Sequence, residues 1–479
     1  MSQTFSVAAA IAIALATQAT AATTIEPWSA SKVYTAGLQA HFQNQRYQAK
    51  WWTQNNQPGT ANSPWTLLGA CDSSCATSGG GSGGGGAGGG TTPPTTGPKP
   101  KPGGGYTMST VELSQAEVRL TSSPLFALTR ANIATRPNSE VEAIVPGRAA
   151  NPDNVRRVER LLSASQWQAH FAMANPAYSY GRFLQAVGKF SGFCRDFTDG
   201  RDPDAICRKA LATMFAHFTQ ETGAHDRNSS IEEWRQGLYF VTEAGCADND
   251  SSCGYNSECA MPGWQTDIWP CGKDAQGRFK KYYGRGAKQL SYHYNYGPFS
   301  QAMYGDAKIL LNQPELVANS WLNLASAVFF MMYPASPKPS MWSVLDGSWV
   351  PNSSDQSRGI KPGFGATTNI INGGIECGHG YEKPQSQNRV DYYLRHAQQL
   401  GVPIGNNEQL GCKDQKPFEV SGAGALNIYW EMDWGYYAER PEGKSFACKL
   451  VGYQTAYSAL QAGDYHKCVQ RYFNVELVP

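Results

Sequence analysis

Leu211-Ala212-Thr213-Met214-Phe215-Ala216-His217-Phe218-Thr219-Gln220-Glu221 is an apolar run that closes on a carboxylate. It reads as a helix, and at helical spacing Met214, His217 and Glu221 share a face. The same periodicity lies on both sides of it. Val155, Val158, Leu161 and Leu162 recur at helical intervals, as do Phe183, Leu184, Val187 and Phe190, and Trp321 to Met332 is apolar enough for a buried helix. Gly, Asn and Cys collect in the long stretches between. From Asn154 onward the expectation is a mainly α domain with irregular loops tied by disulfides.

The whole chain has 479 residues, room for about three units of ordinary domain size. Its 40 Lys and Arg balance 38 Asp and Glu, which argues against a nucleic-acid binder held by phosphate contacts. Aromatics reach 12%, too many for a disordered chain. The twelve Cys fall in local groups: Cys71/Cys75, Cys194/Cys207, Cys246/Cys253/Cys259/Cys271, Cys377/Cys412 and Cys448/Cys468. Zinc needs tight pairs with further ligands, and only Cys71/Cys75 approaches that spacing, so disulfides and an oxidising compartment are expected. Val7 to Ala16 is an apolar run of signal-peptide length before the small-x-small site Ala19-Thr20-Ala21, although Met1 to Ser6 carries no Lys or Arg. Residues 1–22 are therefore expected to be a signal peptide, and the protein to be secreted. No apolar stretch is long enough to span a bilayer, so no membrane partner is expected.

Gly79 to Gly90 contains ten Gly in twelve residues and runs into a Thr/Pro/Lys tract ending at Pro102. Such a composition cannot bury a core, so residues 76–105 are expected to be a linker, with a coil span of roughly 30 Å. Before it, residues 23–75 hold short β-type runs around Trp28, Val33-Tyr34, Tyr47 to Thr53 and Trp65 to Leu68. Alternation sets Tyr47, Ala49 and Trp51 on one face and Gln48, Lys50 and Trp52 on the other. So small a unit is not expected to hide four Trp, and exposed aromatic surface follows. The pattern of Trp28, Tyr34 and Gly37, then Tyr47-x-Ala49-x-Trp51-Trp52-Thr53, then Trp65-x3-Gly69 resembles the chitin-binding modules of carbohydrate-binding families 5 and 12. That resemblance implies a small all-β module whose Tyr47, Trp51 and Trp52 meet N-acetylglucosamine rings, with Trp52 the more exposed of the tryptophan pair.

Two carboxylates carry the candidate chemistry. Glu221 ends its apolar helix, and Glu243 follows the aromatic, strand-like run Leu238 to Thr242. Apolar surroundings raise a carboxyl pKa, as a general acid requires, and two carboxyls in differing environments are the minimum for hydrolysing a glycoside. An open alternative is a metal held by His217, Glu221 and His225, four apart on one helical face, but it lacks a partner motif.

Residues from about 156 to 403 resemble the chitinases of glycoside hydrolase family 19. The resemblance rests on Gln220-Glu221-Thr222-Gly223 and on Glu243, on Tyr282 to Ser291 leading into Tyr294-Asn295-Tyr296-Gly297, and on Pro337-Lys338-Pro339-Ser340, Gly363-Phe364-Gly365, Thr368 to Gly378 and Asn388-Arg389-Val390. It implies a lysozyme-like helical fold, Glu221 as general acid, Glu243 as general base, Ser291 holding the attacking water, and Asn295 positioning water or the N-acetyl group. Trp269, Gln289, Lys338, Asn372 and Arg389 match cleft-lining positions, with Arg389 placed to tune a neighbouring carboxylate. No metal or cofactor is implied.

The sequence departs from the family pattern at Gln220, in an expanded stretch from Asp248 to Lys280, and in residues 413–479, an aromatic extension expected to be a structural annex. Residues 106–153 receive no assignment. The expectation is a secreted, monomeric, inverting endo-chitinase with a catalytic domain over 154–412. The alternatives are a muramidase-like peptidoglycan hydrolase and a non-catalytic chitin lectin.

Overall fold

The structure is a computed structural model that describes residues 25–29, 34, 38–50, 57–59, 64–71, 75, 97–102, 104–247, 253–261 and 263–479. The chain divides into two units, Met1–Gly88 and Gly89–Pro479.

In the first unit, strands Gln39–Phe42, Gln45–Ala49 and Trp65–Ala70 form an antiparallel sheet in sequence order. Gln43 and Asn44 turn the first hairpin with φ of 48° and 60°, the doubly left-handed geometry that suits a two-residue loop. The third strand carries an extra residue at Leu68, because Arg46 pairs with Gly69 while Tyr47 pairs with Leu67. Tyr34, Ala40, Tyr47, Ala49 and Trp65 make the core, with Trp28 and Phe42 packed against it. The strand alternation thus turns Tyr47 inward beside Ala49. Tyr47, expected to meet sugar, is only 6% exposed and donates its hydroxyl to Gln45, so its ring packs the module instead. Trp51 and Trp52 lie outside the described residues.

The second unit is helix-rich, and its main core surrounds the helix Pro203–Thr222. Pro203 sits at the first helical position, and the Asp202 side chain accepts from the amides of Asp204 and Ala205, so the start is fixed by proline and a cap. Leu211 to Phe218 are all buried, which makes this a helix enclosed on every side. The helix Pro384–Leu400 lies along it, and Tyr180–Lys189 packs on Leu322–Met332. Leu238 to Thr242 is no strand. Thr222 Oγ1 accepts from the Leu238 amide and the Thr222 carbonyl from the amides of Tyr239 and Phe240, so this segment caps the end of the long helix. All twelve Cys are paired, with Cys246–Cys253 and Cys259–Cys271 resolving the group of four.

The segment without an assignment and the C-terminal extension turn out to share one core. Strand Tyr106–Ser109 pairs in parallel with Val475–Val478 at the opposite end of the unit. Met108, Leu113, Ala116 and Phe126 pack with Leu426, Ile428, Trp430, Phe446, Tyr465, Val469 and Phe473 into a second cluster. A two-stranded ribbon, Tyr429–Met432 with Cys448–Val451, and the Cys448–Cys468 bridge complete this lobe. Trp430, an aromatic of the extension, is fully buried at its centre. Trp430→Ala should therefore cost about 3–5 kcal/mol. Urea unfolding followed by lobe-specific hydrogen exchange checks this, and wild-type protection in the lobe would contradict it.

Candidate active site

Glu221 occupies the last turn of the central helix, with 20% of its side chain exposed. Behind it lies Arg389, 2% exposed, from the helix Pro384–Leu400. Arg389 donates from Nε and Nη2 to the two carboxylate oxygens of Glu376, each at 2.9 Å, and Nη2 also pairs with Glu221. Its Nη1 lies 3.0 Å from His217 Nδ1, while His217 Nε2 lies 3.1 Å from Thr367 Oγ1. Arginine can only donate, so Nδ1 accepts and the imidazole is the neutral Nε2–H tautomer. Burial, with help from Arg389 and Lys288, pushes the His217 pKa well below its ordinary value, which agrees.

Burial is the largest influence on the Glu221 carboxyl and pushes its pKa up. Arg389 and Lys288 outweigh it and hold the group below its ordinary 4.5. The expectation of a raised pKa is therefore reversed in the free protein, because apolar flanks along the sequence do not reveal cations delivered from other elements. Arg389 does tune the carboxylate, but from behind it and not from the cleft wall. Asn372 sits there too: its Nδ2 donates to Glu376 Oε1 at 2.7 Å, from a non-helical position inside Phe364–Glu376. Lys338 donates to the Ile370 carbonyl at 2.8 Å, and burial with the nearby Lys288 charge brings its pKa down to about 8.

Glu243 is held differently. Its Oε1 accepts from the Tyr255 hydroxyl at 2.7 Å and its Oε2 from the Gly284 amide at 3.0 Å, while its own amide donates to the Gly284 carbonyl. The hydrogen bond to Glu243, with burial, pushes the Tyr255 hydroxyl up to about 12. Tyr255 belongs to the expanded stretch, between the bridges Cys246–Cys253 and Cys259–Cys271. That stretch thus reaches the candidate base itself. Arg285, 1% exposed, donates to the Lys281 and Tyr283 carbonyls and the Tyr296 hydroxyl and lies over the Tyr283 ring. Arg285 also bridges to Thr242 and to Leu290, which fastens the Glu243 segment to the Ser291 segment.

Ser291 Oγ donates to the Gln289 carbonyl, and Asn295 Nδ2 to the Ser291 carbonyl, both at 2.9 Å. Trp269, Gln289, Ser291 and Asn295 wall one cavity of about 750 Å³. A small hollow beside Glu221 shares Lys288 and Phe330 with it. Gly297 is required where Trp269 meets the helix His293–Tyr304, since a Cβ there would lie 2.3 Å from the indole. His217, Glu221 and His225 do not converge: His217 faces Arg389, and His225 lies against Tyr392 and the Gln220 carbonyl. The metal alternative fails because a guanidinium occupies the place an ion would take. Glu376, Lys288 and Tyr255 were missed as site residues, and His217 was weighed only as a metal ligand. Glu376 and Lys288 had a signal, since they lie within the motif stretches Thr368 to Gly378 and Tyr282 to Ser291.

The family profile described as chitinase class I matches residues 157–412, and that of carbohydrate-binding module family 5/12 matches residues 27–66. The chain belongs to the class I chitinases of glycoside hydrolase family 19. Endochitinase 2 of Solanum tuberosum is 40% identical over 243 residues, spanning 50% of this chain and 68% of the relative. Chitinase 1 of Oryza sativa subsp. japonica is 40% identical over 243 residues, spanning 50% and 67%. A solved class IV chitinase of Zea mays is 26% identical, with 53% of this chain and 100% of that one covered, at a TM-score of 0.36 that adds nothing to the assignment.

In this chitinase the Glu221 carboxyl is depressed on folding, so its ion pair contributes stability above the unfolded value near 4.5 and loses it as pH falls through the lower folded value. Arg389→Gln leaves Glu221 and Glu376 sharing an uncompensated pocket and should cost about 3–5 kcal/mol at pH 7. The gap to wild type should narrow as pH falls toward 3, because the Glu221 carboxylate that needs the cation is progressively lost. Urea midpoints at the two pH values check this, and an equal gap at both would contradict it.

Proposed function

We propose that this chitinase is a secreted endo-acting enzyme that cleaves β-1,4 linkages of N-acetylglucosamine polymers, with Glu221 as general acid and Glu243 as general base. The observation that carries the reading is the division of labour between the two carboxylates. Glu221 is braced by Arg389 at the end of the buried helix, and Glu243 is held by Tyr255 and the Gly284 amide on a separate segment joined to Ser291. Glu221 then protonates the glycosidic oxygen, while Glu243 and Ser291 hold and activate water on the opposite face of the sugar. The N-terminal module, tethered by the linker ahead of the strand Lys99–Pro100, which pairs with Tyr106–Ser109, raises the concentration of the catalytic unit at an insoluble chitin surface. Its hydrophobic cluster of Tyr34, Tyr47 and Trp65 supports a folded module, with Trp51 and Trp52 as the aromatics to meet the polymer. The paired cysteines and the apolar Val7 to Ala16 run support export.

Glu221→Gln should lower kcat on chitin hexamer by about 10²–10⁴-fold with sugar binding retained. Glu243→Gln should be similarly impaired and Ser291→Ala less so. Near-wild-type turnover by Glu221→Gln would overturn the assignment. A water-activating base also requires inversion, so proton NMR should detect the α-anomer first, and initial β-anomer would exclude this mechanism.

Deleting residues 23–96 should weaken retention on insoluble chitin and slow its hydrolysis, while rates on soluble oligomers change little. Equal losses on both substrates would mean that the module supports the catalytic fold.

A further inference from the structure

The cavity that holds Trp269, Gln289, Ser291 and Asn295 does not end within the family-matched region. Its far wall is made by the C-terminal lobe, through Tyr429, Gln454, Thr455, Ala456 and Gln461. These residues lie beyond position 412, where the chitinase profile stops. We propose that the lobe is part of the substrate cleft, and that this cavity seats further N-acetylglucosamine units of a chain whose scissile bond lies at Glu221. The inference rests on the chitinase reading of that site.

Three observations converge on it. The cavity lies next to Glu221, since Lys288 and Phe330 line both it and the small hollow at that carboxylate. Its volume of about 750 Å³ is that of a ligand site and exceeds a packing defect many-fold. The chemistry of the wall also suits an uncharged polar chain. The amides of Gln454 and Gln461 line it with the rings of Phe329, Tyr333 and Tyr429, and of its charged groups Asp464 and Lys467 are paired with each other at 2.8 Å, while Lys288 lies on the Glu221 side. Amides match hydroxyl and acetamide groups, and ring faces match the apolar faces of pyranoses. Trp269, 8% exposed, supplies an indole to the wall that also carries Gln289 and Ser291.

The lobe is also fixed where such a subsite needs it. Gln454 Nε2 donates to the Tyr294 carbonyl at 3.1 Å, next to Asn295, and Ser336 Oγ donates to Asn427 at 3.3 Å. Arg130 Nη2 donates to the Ala459 carbonyl at 2.7 Å, from the helix Pro124–Ile133. The far wall is therefore tied to the chain next to Asn295, as binding along an extended substrate requires.

The test is length dependence. Ala456 is exposed, so Ala456→Trp fills the cavity without entering the lobe core, and Gln461→Ala removes a wall amide from an exposed position. For each variant, kcat/KM and the product pattern are measured on the hexamer and the tetramer of N-acetylglucosamine. The ratio of hexamer to tetramer kcat/KM should fall about five-fold or more in Ala456→Trp and in the same direction in Gln461→Ala, with hexamer products shifted. An unchanged ratio and product pattern in both variants would overturn the inference, as would an equal loss at both lengths. Wild-type protein that cleaves neither oligomer would instead remove the chitinase reading, and the subsite with it.

Discussion

The Arg389 guanidinium is the group around which the rest of the catalytic unit is arranged. A buried cation is costly unless every donor finds an acceptor, and this one is satisfied by Glu376, Glu221 and His217 from two other helices. Satisfying it draws Pro384–Leu400 and Phe364–Glu376 onto the end of Pro203–Thr222. The same contacts that let the core close therefore fix where the Glu221 carboxylate points. His217 takes part only while neutral, and its burial keeps it so. Core packing and the placement of the acid are one problem with one solution, which is why Arg389 cannot be exchanged for lysine without losing the planar fork that reaches both carboxylates.

This arrangement leaves the acid in a balance. Burial drives Glu221 toward its neutral form, while Arg389 and Lys288 drive it toward the ion, and in the free protein the cations win. The balance is adjustable because a fifth of the side chain still meets solvent. A sugar that covers that fifth removes water from the carboxylate and strengthens the side of the balance that favours the proton. Glu243 is in a different position, held by a phenol and a backbone amide. Two chemically identical groups are thus differentiated by what the fold sets beside each of them.

The sequence makes some of this legible, and its limits are physical. Helical periodicity is a local property, so the runs at Val155, Phe183, Leu211 and Trp321 announce the helices Asp153–Leu161, Tyr180–Lys189, Pro203–Thr222 and Leu322–Met332. Glu221, Glu243 and Ser291 stand out as candidates chiefly through the order of family motifs, since an acid after an apolar run is common. The union of Tyr106–Ser109 with Val475–Val478 was not legible, because parallel pairing between distant segments leaves no local mark in either of them. The direction of the Glu221 pKa failed for the same reason: the deciding charge arrives from position 389. Tyr47 shows the converse. Alternation placed it correctly beside Ala49, and the error lay in assigning an inward ring to sugar.

The segment around Ser291 shows what the fold spends to hold such a site. Gln289, Tyr292 and Tyr255 adopt φ of 52°, 68° and 47°, the left-handed region that side chains avoid. These three residues lie in the stretches that carry Ser291 and hold Glu243. Strain of this kind persists only where the surroundings over-determine the backbone. Arg285 provides that from below through its bonds to Lys281, Tyr283 and Tyr296, and the bridges Cys246–Cys253 and Cys259–Cys271 from the side. Gly286, at φ 73°, lets this turn press against Asn323, where a Cβ would lie 2.6 Å from the carbonyl oxygen. A regular strand or helix would relieve the strain, but it would also turn Ser291 and Gln289 away from the cavity they wall. Irregular backbone pinned by a buried arginine is what allows the Glu243 carboxylate, the Ser291 hydroxyl and the cavity wall to be supplied from so short a length of chain.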